Sequence, residues 1–133
     1  MDAKKLIENA ENDAKKIAYE EKKYFNKNKQ REETKKEVRV STSQIRNIFG
    51  RIKKIQTNWK PEKNDIEVYN NIILLKPKLA YIDKKNDDRN RILETTISIV
   101  IDKIQENDLS NSLKEFFDYM EAVVCYHKKH SIK

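Results

Sequence analysis

Glycine is scarce in this chain of 133 residues: Gly50 stands alone, and there are two prolines. A dinucleotide-binding fingerprint needs three closely spaced glycines and a phosphate-binding P-loop needs two, so both kinds of nucleotide site are excluded. The Asn-Gly and Asp-Gly pairs of tight hairpins are missing as well, which argues against a many-stranded sandwich or barrel. The shortage of turn residues therefore favours a helical protein.

Cysteine and long apolar runs are scarce too. The single cysteine, Cys125, permits no internal disulfide and no multi-cysteine zinc site, which fits a reducing cytosol. No apolar run approaches the roughly 18 residues of a membrane span, and the initial Met-Asp-Ala-Lys-Lys is not followed by the apolar stretch of a secretory signal. We therefore expect a cytoplasmic protein without membrane contact. Because no activating base is signalled for Cys125, we expect its side chain to be buried and unreactive.

Charge is what the chain has in abundance: 38% of its residues are Asp, Glu, Lys or Arg, and the net charge is +7. Leu, Ile, Val and Phe still make up a quarter of the chain, above the roughly 20% that suggests disorder. The length is close to that of one domain. We predict an all-α fold, a compact bundle of about five helices. Residues 1–40 are predicted to be an N-terminal charged helix and linker, and residues 41–133 the helical core of the same single domain.

Apolar spacing of three and four residues predicts one long polar helix over residues 3–37, which becomes a charged linker after Phe25. Its stripe of apolar residues is narrow and rich in alanine, so the helix needs a partner surface. We expect it to pack against residues 111–127 or against a second copy of the chain.

The helix that follows is predicted to begin with Ser41 and Gln44 spaced as a capping box, and to stop at Pro61. Residues 83–90 are predicted to be a polar connector, and Ser110 to be the N-cap of the last helix. The other predicted helices cover residues 64–81, with a bend or an interruption at Pro77, residues 90–106, and a last helix from Ser110 whose broad apolar face ends at His127.

The two histidines, His127 and His130, do not form a convincing metal site with Cys125. Residues 125 and 127 of a helix point about 200° apart, so they cannot bind one ion together. We expect His127 to be partly buried at the end of the apolar face of the last helix. No metal, no cofactor and no catalytic residue is predicted, and we expect the protein not to be an enzyme.

The positive charge is concentrated in the middle of the chain. Residues 41–91 carry 12 basic and 6 acidic side chains, a net +6, whereas residues 92–133 carry 5 and 7, a net −2. In the helix after Ser41, the basic side chains lie away from the apolar face. Clustered Lys and Arg on helices contact phosphates without reading bases. The alternative is a lysine-rich solvated surface with no nucleic-acid partner.

Three segments resemble a known family. Residues 42–49, Thr-Ser-Gln-Ile-Arg-Asn-Ile-Phe, resemble the "TSQIR" start of the small subunit of the type III-A CRISPR effector, the Csm complex. Residues 74–81, Leu-Leu-Lys-Pro-Lys-Leu-Ala-Tyr, are similar to that family's "KPKLAY" segment. Residues 116–128, from Phe-Phe-Asp-Tyr to Cys-Tyr-His-Lys, are similar to its C-terminal signature. The three segments follow the family's order.

The resemblance implies an all-helical subunit without catalytic activity, several copies of which stack along the effector. Its implied partners are CRISPR guide RNA, target RNA, other subunits of the Csm complex and further copies of itself. The leading candidates for RNA contact are Gln44 and Arg46 at a helix start, and Lys76 and Lys78 beside Pro77. The further candidates are Lys53, Lys54, Lys84, Lys85 and Arg89.

Two other functions are open at this point. A helix-turn-helix-like DNA-binding regulator needs a short turn before a recognition helix rich in Arg, Asn or Gln, and the proline-containing connection at residues 59–64 matches it poorly. A purely structural helical adaptor would make no contact with nucleic acid.

Overall fold

The computed structural model describes residues 2–87 and 91–131, of which about 69% are helical. The helices are α1 (Ala3–Ala18), α2 (Thr42–Thr57), α3 (Asp65–Ile73), α4 (Lys76–Lys85), α5 (Ile99–Asp102) and α6 (Leu109–His130). A π-helical turn, Glu94–Ser98, leads into α5, and a 3-10 turn, Glu106–Asp108, leads into α6. Strands β1 (Tyr19–Asn26) and β2 (Arg31–Val38) form an antiparallel pair. The prediction of a mostly helical fold is confirmed, and the prediction of a purely helical one is wrong.

The two strands replace the second half of the predicted N-terminal helix. Helix α1 ends at Ala18, and the chain turns back at residues 27–30. The side chain of Asn26 accepts hydrogen bonds from the backbone N–H groups of Asn28 (3.0 Å) and Lys29 (3.2 Å), and Gln30 takes a φ of 51°. The Asn26 side chain thus stabilises the turn, and Gln30 takes the left-handed conformation that glycine would favour. The predicted helix over residues 3–37 and the charged linker are therefore wrong beyond Ala18.

Helix α1 packs against α6, as predicted. Its buried side chains are spaced three or four residues apart, and the small ones bring the two helices close together: Leu6, Ala10, Ala14 and Ile17. Polar contacts flank this apolar seam. The Tyr119 hydroxyl donates a hydrogen bond of 2.6 Å to the Asp13 carboxylate, and a ring nitrogen of His130 lies 2.8 Å from the carboxylate of Glu11.

The core is built on α6, which buries Leu113, Phe116, Phe117, Met120 and Val123. The ring of Phe117 packs between those of Trp59, at 5.4 Å, and Phe116, at 5.8 Å. Aliphatic side chains of α2, α3 and α4 pack in the same core, as do those of the π-helical turn and α5: Ile45, Ile48, Ile52, Val68, Ile72, Leu79, Ile97 and Ile101.

Two predictions about α6 side chains have different outcomes. His127 is buried, and its Nε2 donates a hydrogen bond of 2.9 Å to the Val40 carbonyl. Burial lowers the pKa of the His127 imidazole despite that hydrogen bond. Cys125, in contrast, is exposed, so the prediction that it is buried is wrong.

The start of α2 is confirmed. Ser41 and Gln44 form the predicted capping box, in which the Ser41 hydroxyl accepts from the Gln44 N–H and the Gln44 side chain accepts from the Ser41 N–H. The helix ends at Thr57, before Pro61. The predicted helix over residues 64–81 is interrupted near Pro77 and not bent: α3 ends at Ile73, and the proline lies in the first turn of α4, where its missing N–H costs no helical hydrogen bond.

Two boundaries in the second half of the chain differ from those predicted. Helix α4 includes Asp83, which is buried, and its carboxylate accepts hydrogen bonds of 3.0 Å from the backbone N–H groups of Leu93 and Glu94. The predicted connector at residues 83–90 therefore begins too early; residues 88–90 lie outside the described residues. The N-cap of α6 is Asp108, and Ser110 lies within the helix.

Candidate nucleic-acid interface

Helix α2 presents a basic face to solvent. Its buried side chains, Ile45, Ile48 and Ile52, lie on one side, and the exposed side carries Arg46, Arg51, Lys53 and Lys54. Each residue rotates an α-helix by about 100°, so Arg46, Gly50 and Lys54 follow one another at four-residue steps along the exposed side. Arg46 and Lys54 are about 12 Å apart along the helix axis.

A groove runs between α2 and the segment that joins α3 to α4. We call it the α2 groove, and it is lined by Arg46, Asn47, Gly50, Arg51, Lys54, Ile55, Asn71, Leu74 and Leu75. Gly50 is exposed within it, and a Cβ atom built on this glycine would meet nothing within 4 Å. Nothing inside the described part of the chain therefore explains a glycine in the middle of this helix, where glycine costs roughly 0.5–1 kcal/mol relative to alanine.

The groove continues along the connection between α2 and α3. Lys54, Ile55 and Asn71 also line its next section, to which the connection adds Lys60 and Lys63. Both lysines are exposed. Five basic side chains therefore border one continuous depression.

The connection that carries Lys60 and Lys63 is fixed by Asp65. Its carboxylate accepts hydrogen bonds from the Ser110 hydroxyl (2.6 Å), the Trp59 indole N–H (2.8 Å) and the Glu62 backbone N–H (3.0 Å). These bonds, led by that of Ser110, lower the pKa of the Asp65 carboxyl. The carboxylate thus ties the floor of the connection to the first turn of α6.

The basic side chains of the α2 groove are available to a ligand. Within residues 2–87 and 91–131, Arg46, Arg51 and Lys54 form no ion pair. Lys53 is more engaged, since its ammonium group lies 5.8 Å from the centre of the Phe49 ring and 3.5 Å from the Gln56 side-chain oxygen.

Gln44, a leading candidate from the sequence, is held in place by structural contacts. Its side-chain oxygen accepts the capping-box hydrogen bond, and its amide exchanges hydrogen bonds of 3.2 and 3.1 Å with the amide of Asn86. This pair joins the start of α2 to the end of α4.

Lys76 and Lys78, the other leading candidates, also have contacts with other side chains of the protein. The Lys76 ammonium group forms an ion pair with Asp102, at the end of α5. The Lys78 ammonium group lies 5.4 Å from the centre of the exposed Tyr81 ring. An RNA phosphate would have to compete with these contacts.

The remaining candidates lie at the far end of α4. Lys84 and Lys85 are exposed, although Lys84 has an interaction partner in the protein. Arg89 lies outside the described residues.

The sequence analysis did not single out Lys60 and Lys63. Their position beside the groove depends on how the connection between α2 and α3 folds.

Other kinds of site find less support in the described residues. There, no group of three or more His, Cys, Asp and Glu side chains is arranged to hold a metal ion. No helix within residues 2–87 and 91–131 has the length and apolar character needed to cross a membrane.

The fold and the groove define a small, mostly helical protein with a cationic depression on its surface. The family model described as Csm2 Type III-A matches residues 1–133, the whole chain. The chain therefore belongs to the Csm2 family, the small subunits of type III-A CRISPR complexes. The match includes residues 1–40, which contain none of the three resembling segments. No curated protein matches the chain significantly, and neither does any solved structure.

Proposed function

We propose that this protein is a non-catalytic, cytoplasmic subunit that lines the path of guide and target RNA in a type III-A effector, with the α2 groove as its RNA-facing surface. The observation that supports this most strongly is the set of Arg46, Arg51 and Lys54, which border the groove and form no ion pair within the described residues. Its partners are guide RNA, target RNA, the other Csm subunits and further copies of the chain.

The groove suits a phosphate backbone for three reasons. Arginine and lysine bind phosphate oxygens through charge-assisted hydrogen bonds, which are about twice as strong as neutral ones. The side chains of Asn47 and Asn71 line the same groove, where they offer amide groups to sugar and phosphate oxygens. The open surface at Gly50 lets a ligand backbone approach the helix closely.

Such contacts neutralise phosphates without reading bases, so they suit a subunit that must accept any guide sequence. Lys53, Lys60 and Lys63 extend the same surface. The proposed contacts of Gln44, Lys76, Lys78, Lys84, Lys85 and Arg89 come second, because those of Gln44 and Lys76 would require existing side-chain contacts to be exchanged.

Photo-crosslinking tests this proposal in the assembled effector. The complex is prepared with 4-thiouridine in the guide or in the target RNA, irradiated, and crosslinked peptides are identified by mass spectrometry. We expect crosslinks within residues 44–63. Crosslinks that map instead to the exposed face of α6, with none in residues 44–63, would contradict it.

A DNA-binding regulator is not favoured by the family to which the chain belongs. Binding of the isolated protein to single-stranded RNA and to duplex DNA of equal length separates the two functions. We expect the RNA to bind more tightly.

A further inference from the structure

The β1–β2 hairpin, residues 19–38, has no core of its own, and we call it the hairpin arm. None of its residues is buried, and the side chains of Phe25 and Tyr24 are 59% and 39% exposed. A two-stranded hairpin alone in water is marginally stable at best. An arm of this length with exposed aromatic side chains is therefore typical of a surface that another molecule covers.

The outer half of the arm is strongly basic. In the strand register this half runs from Lys22 to Lys35. It contains six basic side chains, Lys22, Lys23, Lys27, Lys29, Arg31 and Lys35, and two acidic ones, Glu32 and Glu33. Lys23 and Lys27 form no ion pair within the described residues. The tip thus combines an exposed phenylalanine ring with an excess of positive charge.

A surface with complementary properties lies at the other end of α1. There α1 and α6 border a cavity of about 630 Å³, which we call the acidic groove. Its floor is apolar and includes Ile7, which is 45% exposed, together with Leu6, Ala122 and the exposed Cys125. Its rim carries four carboxylates and one ammonium group: Asp108, Glu115, Asp118, Glu121 and Lys114.

The arm and the acidic groove lie at opposite ends of one helix. The groove borders Ala3 and Ile7, the arm begins at Tyr19, and the 16 residues of α1 span about 24 Å. When two complementary surfaces lie far apart on one molecule, the contact they favour joins one copy to the next, head to tail. Such a contact leaves a free arm at one end and a free groove at the other, so it continues as an open stack unless the rotation between copies closes a ring.

We propose that the hairpin arm of one copy docks in the acidic groove of a second copy, with Phe25 against the apolar floor and the lysines of the tip against the carboxylates of the rim. This inference deepens the self-association in the proposed function and rests on it. It assigns the contact to two surfaces that do not overlap the α2 groove.

A second copy fits the arm better than RNA does, because the tip also carries carboxylates. Glu32 lies directly across from Phe25 in the strand register. Glu33 accepts hydrogen bonds from the Tyr24 hydroxyl (2.9 Å) and Arg31 Nε (3.1 Å). These charges would repel phosphates beside the aromatic rings, and the Tyr24 hydroxyl is already engaged.

Two reciprocal charge reversals test the contact in the absence of RNA. One variant carries Lys27→Glu and Lys29→Glu in the arm, and the other carries Asp118→Lys and Glu121→Lys in the groove. All four side chains are exposed, so both variants should fold. Sedimentation velocity measures self-association of the nuclease-treated full-length chain at low salt. We expect each variant alone to associate at least tenfold more weakly than the wild type.

The mixture of the two variants is the decisive sample. The acidic arm of the first then meets the basic groove of the second, and the basic arm of the second meets the native groove of the first. We expect the mixture to associate as strongly as the wild type. The control, Lys103→Glu with Lys128→Glu, makes the same change in net charge as the arm variant at exposed positions outside both surfaces and should associate normally.

Failure of the mixture to recover association, or wild-type association of either variant alone, would overturn the inference. So would an arm variant that loses RNA affinity while its self-association is unchanged, since the arm would then bind RNA. These outcomes are independent of the proposed RNA surface, because that proposal fails only if the α2 groove itself does not contact RNA.

Discussion

Helix α1 and the hairpin arm come from one highly charged stretch of chain, yet they are stabilised in different ways. In α1, Ala10, Ala14 and Ile17 are fully buried against α6. The arm, which begins one residue after the helix ends, buries no side chain. The difference shows that a few apolar residues at helical spacing are enough to pack a polar helix against the core. Beyond the last of these residues, the structure is determined by the turn and by pairing between the strands.

Charge pairs within and between the two strands stabilise the arm. Lys22 and Lys35 lie opposite each other in the strand register, where their like charges repel. The Glu37 carboxylate offsets this repulsion, because it lies 3.1 Å from the Lys22 ammonium group and 3.3 Å from that of Lys35. Their hydrogen bonds lower the pKa of the Glu37 carboxyl. The Lys36 ammonium group lies 4.5 Å from the centre of the Tyr19 ring. Pairs of this kind contribute about 0.2–1 kcal/mol each, far less than a buried phenylalanine.

Truncation of one phenylalanine in each region should give the largest contrast. Phe117 is buried between Trp59 and Phe116, so Phe117→Ala should lower the free energy of unfolding by about 3–5 kcal/mol. Phe25→Ala should change it by no more than about 0.5 kcal/mol in the dilute, monomeric protein. Chemical denaturation of both variants measures the difference. Equal loss of stability would mean that the arm is part of the cooperative fold.

The stability of the folded protein should depend on pH through His127, which bonds the chain just after the arm. Burial lowers the pKa of this imidazole, so the unfolded chain binds a proton at pH values where the folded protein does not. Stability should be complete above the unfolded value of about 6.5 and should fall as the pH drops below it. Thermal melts between pH 8 and pH 5 measure this effect.

His127→Leu is the matched variant for that pH series. It removes the hydrogen bond to the Val40 carbonyl, and a buried carbonyl left without a partner costs about 1–3 kcal/mol. The variant should therefore be less stable at pH 8 and should lose stability less steeply below pH 6.5. A wild-type slope retained in His127→Leu would assign the titration to another group.

Excision of the arm should have a smaller effect. In this variant, residues 20–37 are replaced by Asn-Gly, which preserves the backbone hydrogen bonds of Arg39 to Ala18 and of Val40 to Ile17. Because no arm residue is buried, we expect a change of about 1 kcal/mol or less and a melting temperature within about 5 °C of the wild type. A much larger drop would show that the arm supports the helical core.

The smallest expected change is a gain in stability at Gly50. Gly50→Ala should stabilise α2 by about 0.5–1 kcal/mol, because the added methyl group meets no atom of the described protein and alanine favours helix. The same methyl group narrows the α2 groove, so RNA affinity should decrease. Unchanged RNA affinity of the more stable Gly50→Ala protein would mean that RNA does not approach the helix at this point.

Regular spacing made much of the helical core predictable. The capping box at Ser41 and Gln44 and the apolar face of α6 follow from fixed steps along the chain. Cys125 shows that spacing is a better guide than residue type: it lies about 140° around the helix from Met120, which places it outside the apolar face. Cysteine is usually a buried residue type, but the position of Cys125 on α6 points its side chain to solvent.

The hairpin arm and the extension of the α2 groove that carries Lys60 and Lys63 could not be predicted from residue spacing. The turn of the arm contains no glycine, and the Asn26 side chain accepts the backbone hydrogen bonds that shape it. The position of Lys60 and Lys63 depends on the hydrogen bond between Asp65 and Ser110, which are 45 residues apart in the chain. Arg46 and Lys54 were predictable because they lie opposite the buried isoleucines of α2.

The salt dependence of RNA binding tests the role of the α2 groove most directly. Each phosphate neutralised on a single strand contributes about −0.7 to the slope of log affinity against log salt, so about four contacts give a slope near −3. Replacement of Arg46, Arg51 and Lys54 by alanine should reduce the magnitude of that slope by about 2, equally for unrelated RNA sequences. Replacement of the exposed Lys4, Lys5 and Lys128 by alanine removes the same charge elsewhere and should leave the slope near −3. Equal slopes for the two triple variants would contradict the assignment of the α2 groove as the RNA-binding surface.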